Sequence, residues 1–259
     1  MADVIANRVR HHVQRLGRGA AVVFVHGLVM DNLSSFYFTL ANPVGEHAQS
    51  VLYDLRGHGM SERPARGYHV ADFVADLHAL IDTLDLGGRV HLVGNSFGGT
   101  VALAFAAAHP DRVASLALVD AHDGTAGFAE QMGATLGLTG DARLDKIASS
   151  FQHWLGRHSE RKRTRLAQAA EQLVEHTSLV ADLAASPPLD ETSLRRIACP
   201  TLALYGADSD VRACGERVAR AVPRCQLHVL PGCTHSVLWE ETAVVRAAIV
   251  DWIARGDRS

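Results

Sequence analysis

The chain has 259 residues, 47% of them hydrophobic, a net charge of −3 and four cysteines. That is enough apolar material for one large domain, and the charge gives no reason to expect a nucleic-acid partner. Cys199, Cys214, Cys225 and Cys233 form no C-x-x-C pair, which fits free thiols better than disulfides or a metal site. No run approaches the ~18 apolar residues of a membrane span, and Met1 to Arg18 lacks the apolar stretch of a signal peptide, so a cytoplasmic location without a membrane partner is expected.

In chain order, Arg8 to Leu16 predicts an antiparallel strand leading into a second strand at Ala20 to Val25. Val51 to Tyr53 reads as a third. Val70, Phe73, Val74, Leu77, Leu80, Ile81 and Leu84 recur at three- and four-residue spacing, which places them on one helical face. A strand at Val90 to Val93 stops at a glycine and is followed by an Ala-rich helix from Thr100 to Ala108. Leu116 to Val119 is the next strand. The alternation then breaks. From Ala121 to Arg196 no strand is expected, and short helices are read at Phe128 to Leu136, Leu144 to Leu155, Arg161 to Val174 and Ser178 to Ala184, closed by Pro187-Pro188. Strands at Thr201 to Tyr205 and Leu227 to Leu230 resume the pattern, with a helix around Val218 to Val222 between them and a last helix at Val244 to Ile253. Strands alternating with helices predict an α/β fold, a mostly parallel central sheet flanked by helices. Residues 1–120 and 197–259 form the expected core, and residues 121–196 a helical cap, or lid, over the strand ends.

The most informative segment is Gly94-Asn95-Ser96-Phe97-Gly98. A strand, a sharp Gly-x-Ser-x-Gly turn and a helix are the context of a nucleophile elbow. The glycines let the chain turn tightly enough to lift the Ser96 hydroxyl off the sheet, at the positive end of a helix. Such a serine needs a base. Of fifteen histidines, His235 alone follows the last predicted strand and precedes the final helix, on the edge from which Ser96 emerges. The acid that orients it belongs on the loop after Thr201 to Tyr205. Asp210 is favoured there, with Asp208 and Asp120 as alternatives; helix N-capping is the ordinary use of such an aspartate. Two donors should meet the oxyanion: the N–H groups of Phe97, next to the nucleophile, and of Leu28, on the loop after the early strand. His26 is read as a structural partner of nearby backbone.

His26-Gly27, Asp54-Leu55-Arg56-Gly57-His58-Gly59-Met60-Ser61, Gly94-Asn95-Ser96-Phe97-Gly98-Gly99 and Gly232-Cys233-Thr234-His235 together resemble the α/β-hydrolase superfamily. The resemblance implies an eight-stranded sheet, with a reduced first strand here, and a Ser-His-Asp triad. It gives Arg56 and its glycines a structural role and does not count His58 as catalytic. Two positions depart from the pattern: Asn95 stands where His is frequent, and Ser209 where many members carry the acid. A serine at position 96 excludes the branches that attack with Asp.

The main expectation is a serine hydrolase acting through an acyl-enzyme on a small-molecule ester or thioester, as thioesterase, cyclase or esterase. A carbon–carbon bond hydrolase or a cofactor-free perhydrolase of the same fold is the alternative, and a non-catalytic ligand-binding protein the reading from another class. The early loop His26 to Phe36 resembles stand-alone hydrolases of actinomycete polyketide pathways, which would add an acyl carrier protein as partner. A solvated helix face is the ordinary explanation of the basic run Arg157 to Arg165, and a docking patch for such a carrier the sharper one. No cofactor and no metal is expected. Met30, Phe36, Phe128, Met132 and Trp154 are the expected substrate-binding residues, the last three also being explained by packing among cap helices.

Overall fold

The computed structural model describes residues 2–125, 134, 138 and 160–256. Eight strands form one sheet: β1 (Ala2–Ala6), β2 (Val9–Leu16), β3 (Ala21–Val25), β4 (Gln49–Tyr53), β5 (Val90–Asn95), β6 (Val113–Val119), β7 (Thr201–Gly206) and β8 (Cys225–Leu230). Their spatial order is β1-β2-β4-β3-β5-β6-β7-β8. β2 runs antiparallel to both β1 and β4, and every pair from β4 onward is parallel.

The central strands are apolar throughout because both faces are covered. In β3, Val23 and Val25 face one core while Val22 and Phe24 face the other. Over the first face lie α1 (Val70–Thr83) and α2 (Phe97–Ala108), whose Phe73, Leu77, Leu80, Val101 and Phe105 are all buried. The second face is covered by Phe36, Leu40 and Val44 of a short helical stretch after β3, and by Val245, Ile249 and Ile253 of the C-terminal helix. Each such Leu, Ile, Val or Phe side chain contributes about 1.5–3 kcal/mol by leaving water.

The first strand is not reduced. β1 pairs with β2 over five residues, from Ala2↔Val13 to Ala6↔Val9. The two-residue turn Asn7-Arg8 has φ of +47° and +63°, the geometry of a hairpin turn that matches strand twist.

Three helices lie between β6 and β7 within the described residues: α3 (Glu160–Glu175), α4 (Leu179–Ala184) and α5 (Glu191–Arg195). No strand occurs among the described residues there. The expected helices Phe128 to Leu136 and Leu144 to Leu155 lie outside the described residues, apart from residue 134. Leu173, Leu179, Leu183 and Leu194 join the core that α1 and α2 cover. Asp182 of α4 accepts the N–H groups of Gly67 and Tyr68 at 3.1 and 2.8 Å, which fastens this segment to the turn before α1. Beyond β7 follow α6 (Arg212–Ala221), α7 (Val237–Glu240) and α8 (Thr242–Gly256). No described helix is long and apolar enough to cross a membrane.

Candidate active site

β5 ends at Asn95 and α2 begins at Phe97, so Ser96 alone makes the turn. Its φ of +52° and ψ of −121° lie where non-glycine residues are strained. The neighbours explain why glycine must flank it. A Cβ on Gly98 would stand 1.9 Å from the Val25 carbonyl oxygen, and one on Gly94 2.6 Å from that of Gly98. The strain is held by backbone: Ser96 N–H donates to Val119 O at 3.0 Å, and Ser96 O accepts from Gly99 N–H at 2.9 Å. The Ser96 hydroxyl lies 3.0 Å from Nε2 of His235. His235 sits on the loop after β8, where Glu240 takes both the N–H and the hydroxyl of Thr234 at 2.7 Å.

The other ring nitrogen meets Asp120. Its Oδ2 is 2.7 Å from His235 Nδ1, and the carboxylate is fully buried. Asp120 is the residue after β6, at φ +45°. Its Oδ1 accepts the Gly206 N–H at 2.8 Å, and its Oδ2 also accepts the Ser209 hydroxyl at 2.5 Å. This corrects the sequence reading, which favoured Asp210. That carboxylate lies 3.9 Å from Nδ1 with its side chain 55% exposed. Asp208 bonds Cys233 O through its backbone N–H at 2.9 Å. The reason is local. The side chain that turns inward from the Asp208-Ser209-Asp210 loop is Ser209, while Asp210 faces water. With its proton on Nδ1 toward Asp120, the neutral imidazole presents the Nε2 lone pair to Ser96.

The loop after β3 lies against the nucleophile: a Cβ on Gly27 would stand 3.5 Å from that of Ser96. His26 Nδ1 bonds Gly27 O at 2.7 Å and its Nε2 accepts the Leu55 N–H at 3.0 Å, so both ring nitrogens are spent on backbone. Gly27 N–H donates to Asp31 Oδ2 and Val29 N–H to His58 Nε2, each at 2.7 Å. Between them, the Leu28 N–H has no acceptor among the described residues. Phe97 opens α2, so its N–H lies at the positive end of the helix.

Met30 is buried with Ala170 of α3, flanked by Val29, Leu166 and Trp239. Phe36 is not at the site. It is buried on the far face of the sheet, its ring 5.1 Å from that of Phe24, because the stretch from Ser34 turns helical and drives it into the core. Phe38, by contrast, is 71% exposed. Phe128, Met132 and Trp154 lie outside the described residues, as does Arg157. Arg161 and Arg165 are exposed on α3.

Several neighbours of the site were not singled out from the sequence. Asp31 is buried and collects the N–H groups of Gly27 and Asn32, the Ser35 hydroxyl and, at 3.5 Å, the Asn95 amide. The His122 ring centroid lies 5.6 Å from that of His235. Trp239 follows His235 by four residues. Only a pairing of polar residues with buried loop amides could have pointed to Asp31, and that pairing is three-dimensional.

A serine on a strained strand-to-helix turn, a histidine on its hydroxyl and a buried carboxylate on that histidine, all at one edge of an eight-stranded sheet of this order, define an α/β-hydrolase architecture. The family model described as alpha/beta hydrolase fold matches residues 20–242, and the chain belongs to that family. Among curated relatives, it is 26% identical to 2-hydroxymuconate semialdehyde hydrolase of Pseudomonas sp. (strain CF600), covering 98% of this chain and 94% of that protein. It is 28% identical to 2-hydroxy-6-oxo-2,4-heptadienoate hydrolase of Pseudomonas putida, covering 98% and 96%. Among solved structures, a meta-cleavage product hydrolase from Pseudomonas fluorescens IP01 superposes with a TM-score of 0.82 at 20% identity, covering 98% of each chain. This protein is an α/β-fold hydrolase.

Proposed function

We propose that the protein is a serine hydrolase in which Ser96 is the nucleophile, His235 the general base and Asp120 the acid that orients it. The observation that carries the reading is the unbroken chain from Ser96 Oγ through His235, at 3.0 and 2.7 Å, to a buried carboxylate. Nε2 takes the hydroxyl proton as Oγ attacks a carbonyl carbon. The Leu28 and Phe97 amides receive the oxyanion, and Asp120 offsets the charge on the imidazolium. Collapse expels the leaving atom, which takes the proton from Nε2, and water then releases the acyl group from Ser96.

For the substrate we favour a conjugated oxo-dienoate over an ester. The support is the similarity to hydrolases of 2-hydroxymuconate semialdehyde and 2-hydroxy-6-oxo-2,4-heptadienoate over nearly the full length of each chain. Such a compound holds no ester, so its hydrolysis breaks a carbon–carbon bond beside the ketone. The 2-hydroxydienoate must first ketonise, its 2-hydroxyl proton passing to the carbon beside the attacked carbonyl. That carbon then leaves with the bonding pair as a dienolate whose charge rests on the C2 oxygen, which takes the proton from Nε2. The described helices α3 to α5 belong to the proposed cap of residues 121–196, whose role is to exclude water around that step. The second reading is an ester or thioester of polyketide type, suggested by the early-loop sequence. It uses the same acyl-enzyme, and a carrier-bound thioester would dock on the exposed Arg161 and Arg165.

The deciding experiment compares 2-hydroxy-6-oxo-2,4-heptadienoate, 4-nitrophenyl butyrate and an N-acetylcysteamine thioester on the purified protein. A kcat/KM on the dienoate at least ~100-fold above the other two is expected, about 2.7 kcal/mol of transition-state preference. The reverse ratio moves the reading to ester or thioester.

A further inference from the structure

Three non-glycine residues at this edge of the sheet have left-handed backbone: Ser96, Asp120 and Val29, the last at φ +64°. Ser96 and Asp120 belong to the proposed triad. Val29 does not, and it is the most unusual of the three, because a β-branched side chain is poorly accommodated in that region. Something must hold it there.

That group is His58. Its Nε2 accepts the Val29 N–H at 2.7 Å, and its Nδ1 donates to the Arg56 carbonyl at 2.8 Å. The ring is buried and meets His26 edge-on at 5.3 Å. Burial above all, then the neighbouring His26, pushes its pKa down to about 3. The ring therefore stays neutral, and Nε2 keeps the lone pair that Val29 needs. The anchor is firm in turn. Arg56 is fixed by Asp76 through Nε at 2.6 Å and through a second nitrogen at 2.5 Å. On the other side of Leu28, Asp31 holds the Gly27 N–H. Of three consecutive amides, the outer two are clamped by buried side chains and the middle one is left for a ligand.

We propose that His58 is a positioning residue of the reaction: by holding Val29 in its left-handed conformation it aims the Leu28 N–H at the developing oxyanion. The proposal rests on the serine-hydrolase reading of Ser96. It differs from a purely structural role in one respect. If His58 acts through the strain at Val29, its importance must vanish when residue 29 no longer resists the conformation.

The test is a double-mutant cycle of His58→Leu and Val29→Gly, with 4-nitrophenyl acetate as substrate and phenylboronic acid as oxyanion mimic. His58→Leu should lower kcat by about 10- to 100-fold, below the 10²–10³ of removing an oxyanion donor outright, with KM within about threefold of wild type. Boronate affinity should fall by about the same factor as kcat/KM, since both species carry the oxygen that Leu28 meets. In the Val29→Gly background, where glycine adopts the turn freely, His58→Leu should cost no more than about threefold. An equal loss in both backgrounds, or near-wild-type kcat in His58→Leu, overturns the proposal. If His58→Leu does not fold, ¹⁵N spectra of the wild type decide. Coupling between the Val29 and His58 Nε2 nitrogens, with Nε2 unprotonated, is expected, and a protonated Nε2 overturns it. Failure of the underlying reading is separate: it would show as wild-type protein that a fluorophosphonate does not label at Ser96.

Discussion

The Ser209 hydroxyl donates to the same Asp120 oxygen that faces the His235 ring, at 2.5 Å. Ser209 stands where many α/β-hydrolases carry the acid, at the end of β7, and Asp120 lies one strand away at the end of β6. In the proposed triad the carboxylate comes from the end of β6, and the Ser209 hydroxyl from the end of β7 supports it. Gly206 N–H, at the end of β7, completes its shell from the same side. Burying a carboxylate is costly unless its oxygens are hydrogen-bonded, and both Asp120 oxygens have partners here.

Asp120→Asn should therefore lower turnover by about 10³ to 10⁴, by mis-setting the imidazole tautomer while leaving the ring in place. Asp210→Asn should cost less than about fivefold, since its carboxylate is half in water and solvent screens it. Steady-state kinetics of the two variants on one ester decide the matter. A larger loss for Asp210→Asn would return the role to the β7 loop.

The contact also makes the acid movable. In an Asp120→Ala background, Ser209→Asp puts a carboxylate on the side from which the hydroxyl now reaches Asp120. Recovery of about 10-fold or more over Asp120→Ala alone is expected, because an oriented base depends on the carboxylate and not on the strand that bears it. No recovery, with the double variant folded by circular dichroism, would mean that the β7 loop cannot present a carboxylate to the ring.

Much of the fold is legible because burial on both faces writes the central strands as apolar runs: Ala21–Val25 and the stretch Leu116 to Val119 need no partner to be seen, while the three residues of β6 before Leu116, interrupted by Ser115, go unread. The edge strand Ala2–Ala6 was not, since it is largely exposed and its sequence shows neither an apolar run nor an Asn-Gly turn. Ser96 and His235 could be placed because each sits at a strand end next to a helix. Asp120 sits at a strand end too, but its contact with His235, on which its proposed role rests, depends on a left-handed backbone angle and on a ring 115 residues away. The His58–Val29 bond is hidden in the same way: Arg56-Gly57-His58-Gly59 reads as a turn, and nothing local announces that its imidazole reaches the oxyanion loop.

Below the sheet edge, Asp76 binds Arg56, accepts from the Asn7 amide at 2.9 Å and lies 3.6 Å from His11 Nε2, with Arg56 and Asp76 almost wholly buried. Asp76→Ala leaves a buried guanidinium without its carboxylate and should lower unfolding free energy by about 3–5 kcal/mol. Replacing the pair together, Arg56→Met with Asp76→Leu, should cost clearly less. Urea unfolding of the three proteins checks this, and equal losses would place the cost in packing rather than in the orphaned charge.

His58 predicts a stability term in a distinct pH window. Its folded pKa is depressed to about 3 by burial, against about 6.5 in the unfolded chain. Above about 6.5 both states hold the ring neutral, and the full stabilisation is present. As pH falls from there toward 3, the unfolded chain takes up a proton that the native state refuses, so stability falls by up to about 1.4 kcal/mol per pH unit. Against burial, which would raise it, the Asp76 carboxyl is held below its usual value by the neighbouring His11 and by the hydrogen bonds from Arg56, and it acts in another range. Its contribution is present above the usual carboxylate value near 3.8 and is lost below it. Measurements at pH 6.0 and 4.5 thus isolate histidine from carboxylate. Wild type should lose about 1–2 kcal/mol more than His58→Gln between these two pH values, while His109, also depressed mainly by burial, contributes alike to both proteins. Parallel losses in urea unfolding would mean that native His58 accepts a proton in this range, and then its Nε2 could not be holding Val29.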